Sequence, residues 1–324
     1  MKGEGRLPKK ISMNKIIKVL APASVANLVC GFDVLGMSLS DPADEMIMSL
    51  SNTPGIQITH EDEYGLPEEA EKNVAGAALI EMMKHLDPST GFSIRVNKKI
   101  KPGSGLGSSA ASAAGAVAGA NALLDNRFSK DDLVRFAMSG EKLASGVKHA
   151  DNIAPCLLGG ITLIRSIMPL DIVSLSFPNL YVTVVHPQIE VKTSDARQIL
   201  RKQVLLKDAI KQWGNIAGLV AGFMQKDYSL IGRSLEDVII EPVRSILIPG
   251  FDEVKEKCKN AGALGGGISG SGPSVFMLSI EEKTANKVAG VMQEVYSCLG
   301  IDFKIYVTKI DDKGVKINEI LQHQ

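Results

Sequence analysis

Residues 102–115 read Pro-Gly-Ser-Gly-Leu-Gly-Ser-Ser-Ala-Ala-Ser-Ala-Ala-Gly, alternating glycines that run directly into an alanine-rich stretch. Gly103, Gly105 and Gly107 carry no Cβ and reach positive φ without steric cost, so successive amide N–H groups can turn inward and form an anion-binding concavity. Alanine has the highest helix propensity of any residue, so a helix is predicted to start at Ser108-Ser109. Its unpaired N-terminal amides and the serine hydroxyls would then face the same anion. A fold that accommodates this run must present a tight glycine turn at a helix N-terminus, and a polyphosphate is the ligand that suits it. A flexible glycine linker is the plainer reading, but linkers seldom lead into a segment of such helix propensity.

Two better-known glycine motifs do not fit. The Walker pattern needs a lysine after its last glycine, whereas Ser108 stands five residues after Gly103 and no lysine follows. Gly105, Gly107 and Ala110 do match the dinucleotide fingerprint, with a strand-like stretch before them and Asp125 at a suitable distance. However, Asp125-Asn126-Arg127 is a turn and not the end of a second apolar strand, where a ribose-binding carboxylate must sit.

The length of 324 residues predicts two domains, and 45% hydrophobic with 22% charged residues describes a globular chain. Lys+Arg and Asp+Glu both total 36, so no global basic field exists to collect nucleic acid or an anionic membrane. Small molecules, or a second copy of the chain, are the expected partners. Met1 to Lys10 is basic without an apolar core, and no stretch approaches a membrane span, which makes the cytoplasm the expected location. Cys30, Cys156, Cys258 and Cys298 are scattered with no paired spacing, as for free thiols.

Apolar patterning predicts strands at Ile16 to Ala21, Glu45 to Ser51, Gly55 to His60 and Phe92 to Ile100, with helical periodicity over Asn73 to Leu86. Pro22 to Gly31 reads as a polar, small-residue segment. Ser129 with Asp132 makes a capping-box start for a helix whose apolar face carries Leu133, Phe136, Ala137 and Ala144, with Glu141 at its margin. Strands at Ile161 to Arg165 and Val173 to Phe177 close this half, giving a boundary near residue 170 and domains of 1–170 and 171–324. The remainder predicts strands at Tyr181 to His186, Ser274 to Ile280 and Phe303 to Ile310. Helices are predicted over Asp195 to Arg201, Ala209 to Gln225, Phe251 to Asn260 and Thr284 to Leu299. The fold class is α+β, two halves of mostly antiparallel sheet packed by helices.

A second glycine cluster spans residues 262–274, with a helix before it and a strand after it, the reverse of the dinucleotide context. A bland loop is one reading; a loop that faces the first across a cleft is the other. Between them stand Glu141 and Lys148-His149-Ala150-Asp151-Asn152. Glu141 reads as a helix-surface glutamate or as a carboxylate for Mg²⁺ beside phosphates. His149 reads as a hydrogen-bonded structural histidine or a site residue, and Asp151-Asn152 as an Asx turn or a site.

Pro22-Ala23-Ser24-Val25-Ala26-Asn27-Leu28, Pro102 to Ser109 and Gly265-Gly-Gly-Ile-Ser-Gly-Ser-Gly-Pro273, in this order, resemble the GHMP kinase superfamily over nearly the whole chain. Gly31-Phe32-Asp33, His149 to Asn152, Thr193-Ser-Asp-Ala-Arg197 and Glu241-Pro-Val-Arg244 resemble its homoserine-phosphorylating branch. The galactokinase signature is not visible, and the mevalonate kinase pattern before Asp-Asn is replaced. The resemblance implies a two-domain GHMP kinase fold, with an N-terminal half like ribosomal protein S5 domain 2 and a ferredoxin-like C-terminal half. It implies phosphorylation of L-homoserine by ATP within threonine biosynthesis, and a homodimer. ATP would be held by Pro102, Gly103, Ser104, Gly105, Leu106, Gly107, Ser108 and Ser109 with Gly267 and Ser269, and Mg²⁺ by Ser108 and Glu141. Arg197 and Arg244 would clamp the substrate carboxylate, to which a guanidinium fork is suited. Asn27, Asp33, His149 and Asp151 would surround the ammonium and backbone, Thr193 would lie near the carboxylate or phosphate, and Asn152 would orient the hydroxyl. No lysine sits beside an aspartate here, so Asp151 is expected to pair with the ammonium; a base role is its alternative. Another acceptor of the same superfamily, or a nucleotide-binding regulator without turnover, are the competing functions.

Overall fold

The computed structural model describes residues 15–191 and 193–320, residues 145, 193 and 194 by backbone alone; the basic start Met1 to Lys10 lies outside them. The first half runs β1 (Ile16–Ala26), β2 (Leu35–Leu50), β3 (Gly55–His60), α1 (Val74–Met83), β4 (Gly91–Asn97), α2 (Ser108–Leu123), α3 (Lys130–Ser145), α4 (Ile153–Leu158), β5 (Ile161–Ile167) and β6 (Leu170–Leu175). The second runs β7 (Tyr181–Pro187), α5 (Thr193–Gln198), α6 (Leu206–Gln225), α7 (Tyr228–Ser234), α8 (Glu241–Arg244), α9 (Phe251–Asn260), β8 (Gly265–Ile268), β9 (Val275–Ser279), α10 (Glu282–Leu299), β10 (Phe303–Lys309) and β11 (Lys316–Ile320).

The first sheet has the order β11-β1-β2-β4-β3, and β2 also pairs with the β5–β6 hairpin. Only β3 and β4 run parallel; the other pairs are antiparallel. The second sheet, β10-β7-β9-β8, is antiparallel, and its strands and helices follow the β-α-β-β-α-β order of the ferredoxin-like motif. The α+β expectation is therefore met in two sheets.

Alternation builds the first sheet: Ile17, Val19 and Ala21 of β1 and Phe92, Ile94 and Val96 of β4 point into one core. Against that face lies α2, buried at every residue but Ser109 and Ala122 and flanked by α1, α3 and α4. Alanine and glycine let it approach the strands closely: a Cβ on Gly119 would stand 2.3 Å from the Met48 sulfur. The predicted capping box of α3 forms in both directions between Ser129 and Asp132.

One buried network fixes where α2 begins. The Lys98 Nζ pairs with the Asp44 carboxylate, both side chains almost wholly buried, and donates to the Ser108 carbonyl (3.0 Å) and the Ser112 hydroxyl (2.8 Å). Asp44 also accepts the amides of Lys99 (2.8 Å) and Ile100 (2.9 Å). That is why β4 stops at Asn97 and does not reach Ile100: the backbone turns out of the sheet to meet a carboxylate.

Other departures have local causes. Pro22 to Ala26 continues β1 past a bulge between Pro22 and Ser24. Gly265 to Ile268, expected as loop, is the edge strand β8, hidden because glycines carry no periodicity; Gly266 faces the Phe276 backbone, leaving no room for a Cβ. The short helices α4, α7 and α8 are too brief to show a period. A division at residue 170 runs through the β5–β6 hairpin, so we place it after β6, with β11 crossing back to β1.

Removing one partner of a buried ion pair strands the other charge, so Asp44→Ala is expected to cost about 3–5 kcal/mol of unfolding free energy, and adding Lys98→Met to restore part of it. Urea titration measures both; a loss within the error of extrapolation would contradict the network's role.

Candidate active site

A cleft of about 530 Å³ runs from the glycine loop to the turn between β1 and β2. Gly103, Gly105 and Gly107 have φ of 74°, 79° and 68°, the left-handed values the sequence demanded. Gly107 is the N-cap of α2 and offers no side-chain cap, which leaves first-turn amides for a ligand. Glycine is required at two of these positions by contact as well. A Cβ on Gly105 would stand 2.6 Å from the carbonyls of Ser269 and Gly272, and one on Gly107 would stand 2.1 Å from the Ser24 hydroxyl.

The second glycine segment thus packs on the first. Ser269 donates to the Gly105 carbonyl (2.6 Å) and Ser274 to the Ser104 carbonyl (2.6 Å). Ser269 is fully buried, and Gly267 lies in β8 with its open side against Glu241, so neither lines the cleft; Gly270 and Ser271 do. Pro102, Gly103, Ser104, Gly105, Gly107, Ser108 and Ser109 line it, while the Leu106 side chain is in the core. Of the adjacent serines, Ser108 spends its hydroxyl on the Ile100 carbonyl (2.8 Å), and Ser109 donates to Glu141 (2.8 Å). The hydroxyl beside the carboxylate is therefore that of Ser109, where Ser108 was expected.

At the opposite end, Asn27, Leu28, Val29 and Asp33 all have positive φ although none is glycine. Such backbone persists only where surroundings over-determine it. Asn27 supplies much of that restraint, donating to the Gly270 carbonyl (2.9 Å) and accepting the Asp33 amide (3.1 Å). The turn presents Asp33 to Arg197, whose Nη2 reaches both carboxylate oxygens (2.9 and 3.1 Å). Arg244 donates to the carbonyls of Ala196 (2.9 Å) and Gly270 (3.1 Å), and both guanidinium groups lie over the Phe32 ring, 5.4 and 4.9 Å from its centre. Burial and the neighbouring Arg197 bring Arg244 down to about 10, which leaves it a cation at neutral pH.

His149 lies 3.7 Å from Asp33, and its Nε2 is buried with no partner. Burial lowers its pKa, outweighing Asp33, and Arg197 lowers it further, so the imidazole is neutral. Asp151 is buried; burial first, then Asp33 and Glu141, push it up to about 7. Asn152 accepts a hydrogen bond from Ser24 (2.8 Å), which commits its Oδ1 and leaves its Nδ2 for the cleft. The Thr193 side chain lies outside the described residues. The cleft is also lined by Leu66, Pro67, Val74 and Val96 together with His60, Lys72 and Asn73, whose Nδ2 donates to the Pro67 carbonyl (2.6 Å). Sequence reasoning quoted Phe32 and Ser24 only as parts of motifs and gave neither a role in the site; the four positive-φ residues of the turn all carry a Cβ, which hides its left-handed backbone.

Comparison with known proteins identifies the family. Residues 73–160 match the family profile of the GHMP kinases N terminal domain and residues 219–298 that of the GHMP kinases C terminal. The chain is 45% identical to a homoserine kinase of Chloroherpeton thalassium and 38% identical to one of Methanococcus vannielii, each match covering 94% of this chain and 99% of the relative. A crystal structure of homoserine kinase from Cytophaga hutchinsonii is 49% identical, superposes with a TM-score of 0.91 and covers 95% of this chain and 98% of its own. A mevalonate kinase from L. major shares the fold at 16% identity (TM-score 0.68, covering 94% and 98%).

Asp151 generates a pH dependence. Its folded pKa of about 7 lies above the ordinary 3.8, so the stability it contributes is complete below about pH 4 and is lost as pH rises through 7. Asp151→Asn should remove that slope, gaining on the wild type between pH 5 and 8 by at most about 1.4 kcal/mol per pH unit. Parallel stability curves, measured by urea titration across that range, would refute the raised value.

Proposed function

The chain belongs to the homoserine kinases of the GHMP kinase family, and on that premise we propose that it transfers the γ-phosphoryl group of ATP to the side-chain hydroxyl of L-homoserine, giving O-phospho-L-homoserine and ADP. The observation that carries this reading is one cleft with a glycine loop at a helix N-terminus and, at another end, a carboxylate set against two guanidinium groups. A zwitterionic amino acid with a hydroxyl is the acceptor that satisfies both.

The loop amides and the α2 N-terminus hold the phosphates, and the cleft wall at Leu66, Pro67 and Val96 takes the nucleobase. Ser109 and Glu141 offer a hydroxyl and a carboxylate beside the phosphates, an oxygen set that fits Mg²⁺; among the described residues no group of three or more acidic, histidine or cysteine side chains forms a cage. When bound there, Mg²⁺ would neutralise phosphate charge.

Asp33 and Arg197 pair with each other in this structure. The acceptor enters that pair, its ammonium meeting Asp33 and Asp151 and its carboxylate meeting Arg197 and Arg244, so Asp33 and Arg197 each exchange one partner for another. Asn27 holds the turn and His149 Nε2 faces the amino-acid backbone; a place for Thr193 near the carboxylate or phosphate rests on the family resemblance alone. Asn152, its carbonyl held by Ser24, donates to the acceptor hydroxyl oxygen and orients it. Phosphoryl transfer rests on positioning and charge neutralisation, so loss of the hydroxyl proton late, to solvent or phosphate, needs no strong base. Asp151 thereby remains the ammonium's partner. A cytoplasmic location fits substrates that are soluble metabolites, and a homodimer, carried by the family resemblance, completes the reading. Among the described residues no helix is long and apolar enough to cross a membrane.

ADP release against L-homoserine, D-homoserine, L-serine, mevalonate and galactose, with phosphorus NMR on the product, tests the whole assignment: selective turnover of L-homoserine supports it, and preference for another acceptor overturns the pocket. Glu141→Gln should lower kcat about 100-fold or more at saturating Mg²⁺, and a near-normal rate would remove Glu141 from the site. Arg197→Ala should raise the acceptor KM about tenfold or more and leave the ATP KM within about twofold; parallel loss for both substrates would remove Arg197 from the acceptor end.

A further inference from the structure

We infer that Gln212, a residue of α6 that touches neither substrate, sets the spacing between the two walls of the acceptor end and is a positioning residue for acceptor binding. The inference rests on the assignment of that end to the amino acid.

Gln212 is 5% exposed, on a helix whose neighbouring Ile210 and Trp213 face solvent. Its Nε2 donates to the Cys30 carbonyl (2.8 Å) and its Oε1 accepts the Val238 amide (3.1 Å). These two partners belong to different walls. Cys30 sits in the left-handed turn that carries Asn27, Phe32 and Asp33. Val238 follows Asp237, whose carboxylate accepts the amides of Ile239 (2.8 Å), Ile240 (3.0 Å) and Glu241 (3.0 Å) and so opens α8, which ends at Arg244. The walls meet again where Arg244 lies over Phe32.

The turn has backbone that residues with a Cβ adopt only under restraint, and the Gln212 bond is one of the restraints that comes from outside it. An amide is the side chain this place needs. It gives one donor and one acceptor from a single planar group, so the gap between the two backbones is fixed by its width. Methionine would keep the packing and offer neither bond; glutamate would keep the acceptor and set a carboxylate against the Cys30 carbonyl.

An acceptor anchored at both ends feels the spacing of the walls; an acceptor anchored at one end does not. L-Homoserine has an ammonium for the Asp33 wall and a carboxylate for the Arg244 wall, whereas 3-aminopropan-1-ol, the same molecule without its carboxylate, has only the first. The experiment compares wild type, Gln212→Met and Gln212→Glu in steady-state kinetics with Mg-ATP, with 3-aminopropan-1-ol as competitive inhibitor. Expected are an L-homoserine KM raised about tenfold or more in both variants, an ATP KM within about twofold of wild type, and a Ki for 3-aminopropan-1-ol that moves less than about threefold. A merely structural role predicts equal losses for homoserine and its decarboxylated analogue, or an ATP KM that rises in parallel, and either result overturns the proposal. So does an unchanged homoserine KM in both variants. Should wild type phosphorylate a different acceptor, the proposed function fails first and separately, before any variant is compared.

Discussion

The buried pair of Lys98 and Asp44 is the interaction on which the cleft's construction depends. Asp44 lies in the middle of the longest strand, and its carboxylate gathers an ammonium and two backbone amides, while the ammonium reaches on to the first and fifth residues of α2. A charge withdrawn from water is tolerable only when its hydrogen-bonding capacity is met from every side. Meeting it here fixes three things together: where β4 ends, how the glycine loop is entered, and which residue begins the helix. The register of α2 then decides that Ser109, and not Ser108, faces Glu141.

The two ends of the cleft handle charge differently. The end assigned above to phosphate is built from backbone, with small residues and the first-turn amides of α2. The acceptor end is built from full charges that compensate one another through Asp33 and Arg197, with Phe32 beneath both arginines. Two like charges held near each other are stable because a carboxylate and an aromatic face share them, and Arg244 also donates to two backbone carbonyls. On the proposed assignment, binding at this end would exchange partners at Asp33 and Arg197, so selectivity would depend on geometry more than on net attraction.

What was legible in the sequence follows the same division. The glycine loop, the capping box of α3 and the alternating strands are local, each written in neighbouring residues, and the structure reproduces them. The partnership of Lys98 with Asp44 spans 54 positions, and nothing near either residue announces it. Adjacent serines at a helix start differ in direction by about 100° in a helix of 3.6 residues per turn, so choosing between Ser108 and Ser109 required the helix register. Gly267 and Ser269 share a motif with Gly270 and Ser271, yet they lie behind the cleft surface, Gly267 within β8 and Ser269 just after it, and a run of glycines hides that strand from a reading of the sequence. The turn at Asn27 to Asp33 is held by bonds within itself and by Gly270 and Gln212 from outside, and its four positive-φ residues all carry a Cβ, so only Gly31 hints at it in the sequence.

The pairing of β11 with β1 has a consequence for the way the chain is made. β1 carries Ser24, leads into Asn27 and lies near the edge of the first sheet, where β11, residues 316–320, is its outer neighbour. During synthesis, the nascent first half therefore exposes a row of free backbone donors and acceptors along β1 until nearly all of the second half has emerged. Such an edge is a template for pairing with a neighbouring nascent chain. Chaperone protection on the ribosome, and the yield of soluble protein from any shortened gene, should hinge on those five distal residues.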